Sequence, residues 1–395
     1  MCLPLFKELQ ETSTPFGFTL DQALVRTPGR VNGNIIDFIA GDVHCYKMFS
    51  KVYEPVYIPR ALKEERHPFC FDYTKLEMPF GHEPEIVKSI QFAVSRSIKE
   101  HRFMSVSNVS EKVDLEKGLL KSFSFLPEKY QGSYFSLKKR MFGGLMGLFE
   151  SRIYGDMNRL YKFLCGLLWV KTVIAAKSVS KDKQNSASIC NITPEELSKV
   201  PCTDLNNGAG INRDWPDGRG IYVNEDQTLC IAVNRDCHLK IYLKCETNDT
   251  LDSFKNLCAV YRGIQRGLQR ENLHFAYDDK FGFVNWNPNK IGSNLQLSAK
   301  VDLPLLQNHE MLRVYLCVNG LQGKFLNDEV DSVEIFYESS YGEAETEMVR
   351  SMTFALRMLT RLENRLDAGV FSDLDIPSRF FVERAAPYLD DTIIT

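Results

Sequence analysis

The chain has 395 residues, of which 48 are Lys or Arg and 51 are Asp or Glu, so its formal net charge is −3. Hydrophobic residues make up 44% and charged residues 25%, a composition that is typical of globular proteins and excludes a disordered or collagen-like chain. The near-neutral balance argues against a dedicated nucleic-acid-binding protein, which needs a basic surface. A chain of this length predicts two or three domains.

The predicted elements begin with short helical segments. In residues 42–53, apolar side chains recur every three or four positions, which predicts an amphipathic helix with Asp42 as its N-cap. Pro55 is expected to end this helix. A stretch rich in Lys, Ser and Asn at 178–191 predicts a loop.

Predicted strands dominate the second half of the chain. Runs of β-branched and aromatic residues predict strands near 228–233, 239–244, 281–286, 295–303, 311–318 and 333–337. Residues 295–303 alternate apolar and polar side chains, so one face of that strand is expected to be buried and the other wet. Apolar periodicity predicts long helices at 253–269 and 343–366. Together these elements predict an α+β fold with an antiparallel sheet.

The cysteines and the apolar segments help to predict the cellular compartment of the protein. None of the eleven cysteines has a Cys-x-x-Cys neighbour, so the spacing offers neither a zinc knuckle nor a redox pair. The amino terminus lacks a signal-peptide-like apolar run. Residues 163–176 are apolar, but Lys171 interrupts them, and a spanning helix needs roughly 20 residues. We expect a cytoplasmic protein with reduced thiols, no metal site and no membrane or nucleic-acid partner.

One motif is highly specific. Residues 215–221 are Trp-Pro-Asp-Gly-Arg-Gly-Ile, and the stretch from there to Leu239 resembles the phosphagen (guanidino) kinases, the family of arginine kinase and creatine kinase. Residues 17–21, 40–55 and 275–283 resemble further blocks of that family. The resemblance implies a small all-α N-terminal domain followed by a larger domain with an antiparallel β-sheet flanked by helices.

The resemblance also predicts the domain boundaries. We place the helical domain at residues 1–75 and the catalytic-fold domain at 76–367, with an insertion at about 164–206. Residues 368–395 form a C-terminal tail in this interpretation.

The chemistry of the family defines which residues to look for. Phosphagen kinases move the γ-phosphoryl group of MgATP reversibly to a guanidine nitrogen, and such catalysis depends on alignment and fixed positive charge. Several arginines clamp the phosphates, since a guanidinium is permanently charged and binds phosphate in a bidentate fashion. Carboxylates hold the substrate guanidinium, and a cysteine thiolate lies beside it. An active chain would therefore use Mg-ATP or ADP and a guanidino compound.

Most of these positions are substituted here. None of the five positions that correspond to phosphate arginines holds an arginine, and only one of them keeps a positive charge. The five positions are Gln91, Ala93, Lys240, Gln296 and Gln322. The histidine that packs on the adenine corresponds to Ile153.

The substrate side has changed as well. The motif Asn-Glu-Glu-Asp-His-Leu-Arg of the family is Asn-Arg-Asp-Cys-His-Leu-Lys at residues 234–240, so the substrate carboxylate is the shorter Asp236. Asn287 replaces the reactive cysteine, and Asn327 replaces a later glutamate. The substrate loop, with Asn34, Ile36 and Ile39, departs from the arginine-kinase pattern and names no substrate.

Two interpretations follow. Each charged hydrogen bond to an anion contributes roughly 1.5–3 kcal/mol, so losing several in a transition state costs many orders of magnitude in rate. This favours a pseudokinase with a binding or regulatory role, exercised through a homo- or heterodimer with a family member or through the insertion. The alternative is a weakly active ATP:guanidino phosphotransferase that uses Asp236 and new cations near the site. Those cations are Arg235, Lys290, Lys300 and Lys324, although a lysine cannot reproduce the bidentate fork.

Overall fold

A computed structural model describes eight stretches of the chain. They are residues 3–28, 34–57, 71–76, 85–138, 192–201, 203–325, 331–338 and 343–369. Within them the α-helices are α1 (Leu3–Leu9), α2 (Cys45–Met48), α3 (Ser50–Tyr57), α4 (Val109–Ser122), α5 (Pro194–Leu197), α6 (Asp204–Gly208), α7 (Thr250–Arg270), α8 (Glu310–Val318) and α9 (Glu345–Asp367). The strands are β1 (Leu24–Pro28), β2 (Asn34–Phe38), β3 (Val87–Arg96), β4 (Gly132–Ser136), β5 (Gly220–Asn224), β6 (Leu229–Val233), β7 (Leu239–Cys245), β8 (Tyr277–Asp278), β9 (Gly282–Phe283), β10 (Leu295–Asp302), β11 (Gln322–Phe325) and β12 (Ser332–Glu338).

An eight-stranded antiparallel sheet organises the fold. Its strand order is β11-β12-β10-β3-β7-β6-β5-β4, and every neighbouring pair runs antiparallel. The long helices α7 and α9 contact each other, and α7 also contacts β3, whereas α9 contacts β10. This combination of helices with an antiparallel sheet confirms the predicted α+β fold class.

The main hydrophobic core lies between the sheet and these two helices. Phe92 of β3, Leu297 of β10 and Phe254 of α7 are buried members of it. On α7 a glycine permits close packing, because a Cβ at Gly267 would lie only 2.5 Å from the Cα atom of Ser122 in α4. The apolar side chains at helical spacing on α7 are buried on one face of this helix, as the periodicity of the sequence predicts.

The N-terminal part differs from the expected all-α domain in one detail. Besides α1, α2 and α3 it contains the antiparallel pair β1–β2, in which Leu24 lies opposite Phe38. The expected helix over 42–53 is divided into α2 and α3, and α3 continues through Pro55 to its end. The Asp42 carboxylate accepts hydrogen bonds from the Thr14 hydroxyl and the His44 amide instead of capping a helix. The domain boundary at residue 75 stays a prediction.

Two hydrogen bonds join this N-terminal part to a loop of the larger part. The Ala40 amide donates to the Trp286 carbonyl at 2.8 Å, and the Tyr46 hydroxyl donates to the Asn285 carbonyl at 2.6 Å. Tyr46 is fully buried, and its ring lies 5.1 Å from that of Phe281. The loop after β9 is therefore packed directly against the N-terminal helices.

The strand prediction for residues 311–318 is wrong, because these residues form α8. Leu312, Tyr315 and Leu316 are buried and Val314 is exposed, which is a helical spacing. The expected strand over 281–286 shortens to β9. The predicted wet face of β10 is only partly wet, since Ser298 at the centre of the sheet is fully buried.

Several predicted features lie outside the described residues. These are the loop at 178–191, the apolar segment at 163–176, the first part of the insertion up to residue 191 and the tail after residue 369. The later part of the insertion contains α5 and the start of α6. Within the described stretches, no helix has the length and apolarity that crossing a membrane requires.

Candidate functional site

One face of the sheet gathers most of the positions assigned to phosphate binding. Residues directly opposite each other on neighbouring strands point to the same face. The opposing sets are Gln91 with Ser298 and Lys244, Ala93 with Gln296 and Tyr242, and Ser95 with Lys240. The structure therefore brings four of the five substituted arginine positions together on β3, β7 and β10.

The fifth position lies on the same face but at the edge of the sheet, two strands away from β10. Gln322 is exposed on the edge strand β11, opposite Phe336 of β12, and β12 in turn places Phe336 opposite Ser298. Two of the expected positions, Ile153 and Asn327, lie outside the described residues.

On this face of the sheet, a hydrophobic cluster occupies the place where residues that clamp a triphosphate would need positive charge. Ala93, with 1% of its surface exposed, belongs to a buried cluster with Tyr242 of β7, Ile221 of β5 and Leu197 of α5. Such a cluster offers dispersion contacts and no fixed positive charge. An arginine at position 93 would have to displace these side chains.

The turn between β6 and β7 holds the predicted substrate carboxylate. Asn234 begins this turn with a left-handed backbone, φ +52°, which asparagine tolerates better than most residues. Its side-chain amide donates to the carbonyls of Lys112 at 2.9 Å and Gly218 at 2.8 Å. The turn is thereby tied to α4 and to the segment before β5, so the position of Asp236 is well defined.

Asp236 is surrounded by cations of the chain itself. Its Oδ2 atom lies 3.8 Å from the Nζ atom of Lys240, whose side chain is only 11% exposed. Burial by itself would raise the pKa of Asp236, but Lys240, Arg235 and Lys290 together hold that pKa below its ordinary value. For Lys240, burial lowers the pKa, and Tyr242 and Asp236 more than offset this, so the pKa of Lys240 is raised. The carboxylate and the ammonium are both charged at neutral pH.

The loop between β9 and β10 uses asparagines to fix its own backbone. The Asn287 amide donates to the Asn285 side-chain oxygen at 2.8 Å, and the Asn289 amide donates to the Asn287 side-chain oxygen at 3.0 Å. The Asn285 side chain also donates to the Lys290 carbonyl at 2.9 Å. Asn287, at the position of the family's reactive cysteine, therefore stabilises a turn with its side-chain oxygen.

The substrate-loop positions lie on and after β2. In the backbone register, Asn34 lies opposite Pro28 and Ile36 opposite Arg26. Ile39 is 4% exposed, its amide donates to the Ala23 carbonyl, and its carbonyl accepts a hydrogen bond from the Tyr53 hydroxyl at 2.8 Å. Ile39 thus belongs to the N-terminal core.

The Trp-Pro motif before β5 is a structural element built around Arg219. This guanidinium is fully buried and lies 5.1 Å from the Trp215 ring centroid. It donates to the backbone carbonyls of Ile211 at 2.8 Å, Arg213 at 3.1 Å, Asp214 at 3.0 Å and Asp217 at 3.2 Å. The motif that identifies the family thus holds one loop together through one side chain.

His238 at the start of β7 is also structural. Its Nδ1 atom accepts from the Ile98 amide at 2.9 Å, which leaves the Nε2–H group to donate to the Arg102 carbonyl at 3.1 Å. Burial, assisted by nearby His101, lowers its pKa from 6.5 to about 3. The ring is therefore neutral at physiological pH and unsuited to act as a general base on a substrate.

This depressed pKa makes a prediction about stability. Because the folded pKa lies below the unfolded one, His238 stabilises the fold fully above pH 6.5, and this contribution falls as the pH drops toward 3. Between pH 7 and 4.5 we expect a loss of roughly 2–3 kcal/mol from this group. Urea unfolding of the wild type and of His238→Asn across that range measures it. The variant should show a flatter dependence; equal slopes would contradict the assignment.

Some residues of this region carry no sequence signal for a site. Tyr242 and Leu197 belong to the buried cluster that contains Ala93, but each looks like an ordinary apolar residue of a strand or helix. The pairing of the strands could have indicated a further group of charged residues, because Glu334 of β12 lies opposite both Lys300 of β10 and Lys324 of β11. Among the described residues, no group of three or more His, Cys, Asp or Glu side chains is arranged to hold a metal ion.

Comparisons with known proteins agree with this architecture. The family model for the ATP:guanido phosphotransferase C-terminal catalytic domain matches residues 169–366. The creatine kinase M-type of Torpedo marmorata is 24% identical over 390 residues, covering 96% of this chain and 91% of the relative. The human creatine kinase M-type is 22% identical over 390 residues, with the same coverage.

Solved structures show the same fold. A lombricine kinase crystal structure superposes with a TM-score of 0.72 at 20% identity and covers 94% of this chain and 93% of its own. The duplicated taurocyamine kinase of Schistosoma mansoni, with bound transition state analog components, gives a TM-score of 0.66 at 19% identity and covers 93% of this chain and 46% of its own. The family model spans half of the chain and the creatine kinases span nearly all of it, so the chain belongs to the ATP:guanido phosphotransferase, or phosphagen kinase, family.

Proposed function

We propose that this chain is a phosphagen kinase-like pseudokinase that has kept the fold of the family and lost phosphoryl transfer. The observation that carries the proposal is the composition of the sheet face: Gln91, Ala93, Gln296 and Lys240 lie together there, and none of them is an arginine. A phosphate clamp needs permanently charged, bidentate donors at these points. A single lysine supplies one charge and no fork.

The rest of the site supports the same conclusion. Asn287 uses its side-chain oxygen in a turn and supplies no thiolate. The buried contacts of Ala93 with Leu197 and Tyr242 fill part of the face with apolar atoms. A magnesium ion in this family accompanies the nucleotide, and this sheet face does not fit the Mg-ATP complex, because Gln91, Ala93 and Gln296 supply no guanidinium to clamp its phosphates.

In this proposal the protein acts by binding. A cytoplasmic role beside active family members, as a homodimer or a heterodimer, is consistent with the fold of the stretches that the structure describes. The duplicated taurocyamine kinase named above places two such units in one polypeptide. Size-exclusion chromatography of the chain alone and with an active phosphagen kinase tests this role.

The second candidate is a weakly active ATP:guanidino phosphotransferase. It is favoured by one observation, the charged Asp236–Lys240 pair at the substrate position. In this interpretation Lys240 contacts a phosphate and Asp236 orients the guanidine.

Nucleotide binding separates the two candidates. We expect millimolar MgADP to leave the melting temperature of the purified chain unchanged within about 1 °C, since only a ligand that binds the folded state stabilises it. A ligand present at 100 times its Kd would stabilise the fold by about 2.7 kcal/mol, which such a scan detects easily. An active creatine kinase measured in parallel is the positive control.

A coupled assay completes the test. Arginine, creatine, taurocyamine and lombricine are supplied with MgATP, and ADP formation is followed. A saturable melting shift together with guanidine-dependent ADP formation, abolished in Asp236→Ala, would overturn the pseudokinase proposal in favour of the weak kinase.

A further inference from the structure

The charge of the turn between β6 and β7 is opposite to what a guanidinium pocket needs. A positively charged substrate requires a net negative site, yet Asp236 stands among three cations, Arg235, Lys240 and Lys290. The Asp236 carboxylate pairs with Lys240, and Lys290 has further interactions of its own, so the positive charge left beside Asp236 without an ion pair among the described residues is that of Arg235. Charge alone therefore disfavours a guanidinium here and favours an anion.

Lys240 retains the capacity to donate to a ligand. Its Nζ atom is 3.8 Å from the Asp236 carboxylate, which is beyond hydrogen-bonding distance, and 5.2 Å from the Tyr242 ring centroid. An ammonium group has three donors. Its side chain is 11% exposed and that of Asp236 is 23% exposed, so the ammonium is largely desolvated but can still be reached from solvent.

Arg235 is held in a fixed orientation with its outer edge unused. Its Nε atom donates to the Leu197 carbonyl of α5 at 3.0 Å. Its two terminal nitrogens donate no hydrogen bond to any part of the chain that the structure describes. The planar edge of a guanidinium matches two oxygens of a phosphate or carboxylate group. Anchoring by Leu197 reduces the rotamer entropy that binding would cost.

We propose that Arg235 and Lys240, with Lys290 of the β9–β10 loop, form a binding site for a small oxyanion in the place where the family holds a cationic guanidine. This inference rests on the proposed loss of phosphoryl transfer, because a working kinase needs the guanidinium beside Asp236. In the empty site, Asp236 serves as the internal counter-ion of Lys240. An entering oxyanion competes with that carboxylate for the ammonium.

The competition makes a prediction whose sign separates the two kinds of site. In an oxyanion site, Asp236→Asn removes a repelling charge and tightens anion binding, by about tenfold at low ionic strength. In a guanidinium site, the same substitution removes the attracting charge and weakens cation binding. Lys240→Met is expected to weaken anion binding by at least about tenfold, since a charged hydrogen bond is lost.

The experiment is a titration of the full chain at low salt, followed by calorimetry and by the melting temperature. The probes are inorganic phosphate, acetate, MgADP and arginine amide. Binding of phosphate or acetate would show that the site accepts a free oxyanion. Binding of MgADP alone would show that the site accepts a phosphate only as part of a nucleotide. Variants are Asp236→Asn, Lys240→Met and Arg235→Gln, and far-UV circular dichroism confirms that each is folded. Lys88→Met is the matched control, because Lys88 forms a separate pair with Asp302 at 3.0 Å.

Saturable binding of phosphate or acetate, tightened in Asp236→Asn, weakened in Lys240→Met and unchanged in Lys88→Met, is the expected result. The proposed site is overturned if no oxyanion binds at a concentration about 50 times that of the free MgADP that saturates a control kinase. It is also overturned if oxyanion binding is unchanged in Lys240→Met. Binding of arginine amide that is lost in Asp236→Asn overturns it as well. Guanidine-dependent ADP formation would instead overturn the proposed function, so the two failures are distinguishable.

Discussion

Replacing Arg219 by methionine is expected to lower the free energy of unfolding by about 3–5 kcal/mol, the usual cost of removing one member of a buried charged network. The guanidinium donates to four backbone carbonyls in the segment 211–217, and it is fully buried. Methionine fills much of the volume but leaves the Ile211 and Asp217 carbonyls without their donor, whereas the Asp214 and Arg213 carbonyls keep bonds from the Asp217 amide and the Lys112 ammonium. Each buried polar group left without a partner costs about 1–3 kcal/mol, although such costs do not add fully.

Two further variants test whether this loss comes from the hydrogen bonds. Arg219→Lys keeps the charge but presents a single ammonium, so it should recover only part of the stability. Arg266→Met removes an exposed arginine from α7 and is expected to change stability by less than about 0.5 kcal/mol. Urea denaturation measures all three variants. A similar small effect for Arg219→Met and Arg266→Met would show that the loop does not depend on this side chain.

Restoring one phosphate arginine is expected to damage the protein. Ala93→Arg places a long charged side chain into the buried cluster formed with Leu197, Ile221 and Tyr242. Overpacking and the desolvation of the new charge together should cost about 3 kcal/mol or more. The melting temperature gives the measurement. MgADP is not expected to recover the loss, because the remaining arginine positions stay substituted.

Ala93→Ser is the matched control for this substitution. It adds a single atom at the same position, so a loss of about 1 kcal/mol is expected. A folded Ala93→Arg variant with wild-type stability would mean that the face has room for an arginine. The apolar cluster would then be no obstacle to nucleotide phosphates.

The sequence was a good guide to the regular elements. The alternating and helical patterns placed β6, β7, β10, β12, α7 and α9 within a few residues of their observed ends. The helices α7 and α9 have one strong period and bury one face, whereas β6 and β7 are rich in apolar residues and buried on both faces, and in each case local pattern and tertiary packing agree. Residues 311–318 failed because a short run of Leu, Val, Tyr and Cys fits either period, and only its packing decides that Leu312 and Leu316 lie on one side.

For the candidate site as well, some features could be predicted from the sequence and others only from the fold. That no arginine stands at the positions assigned to phosphate binding is a property of the residues themselves, so the motif spacing was enough to predict it. Where the replacements lie depends on register: Gln91 and Ala93 share β3, Gln296 comes from a distant part of the chain, and only the pairing of β3 with β10 places it on their face. The structure describes neither Ile153 nor Asn327, so their roles stay predictions.

By itself, the sequence determined the family and predicted the loss of the arginines, because a motif such as 215–221 and the identity of a side chain are local facts. Only the tertiary structure decided what replaces them. Long-range packing brings the Leu197 carbonyl to Arg235 and the β9–β10 loop to Asp236, across separations of tens of residues. Electrostatic interactions fall with distance in space and not along the chain, and so the reversed charge of this pocket follows from the fold.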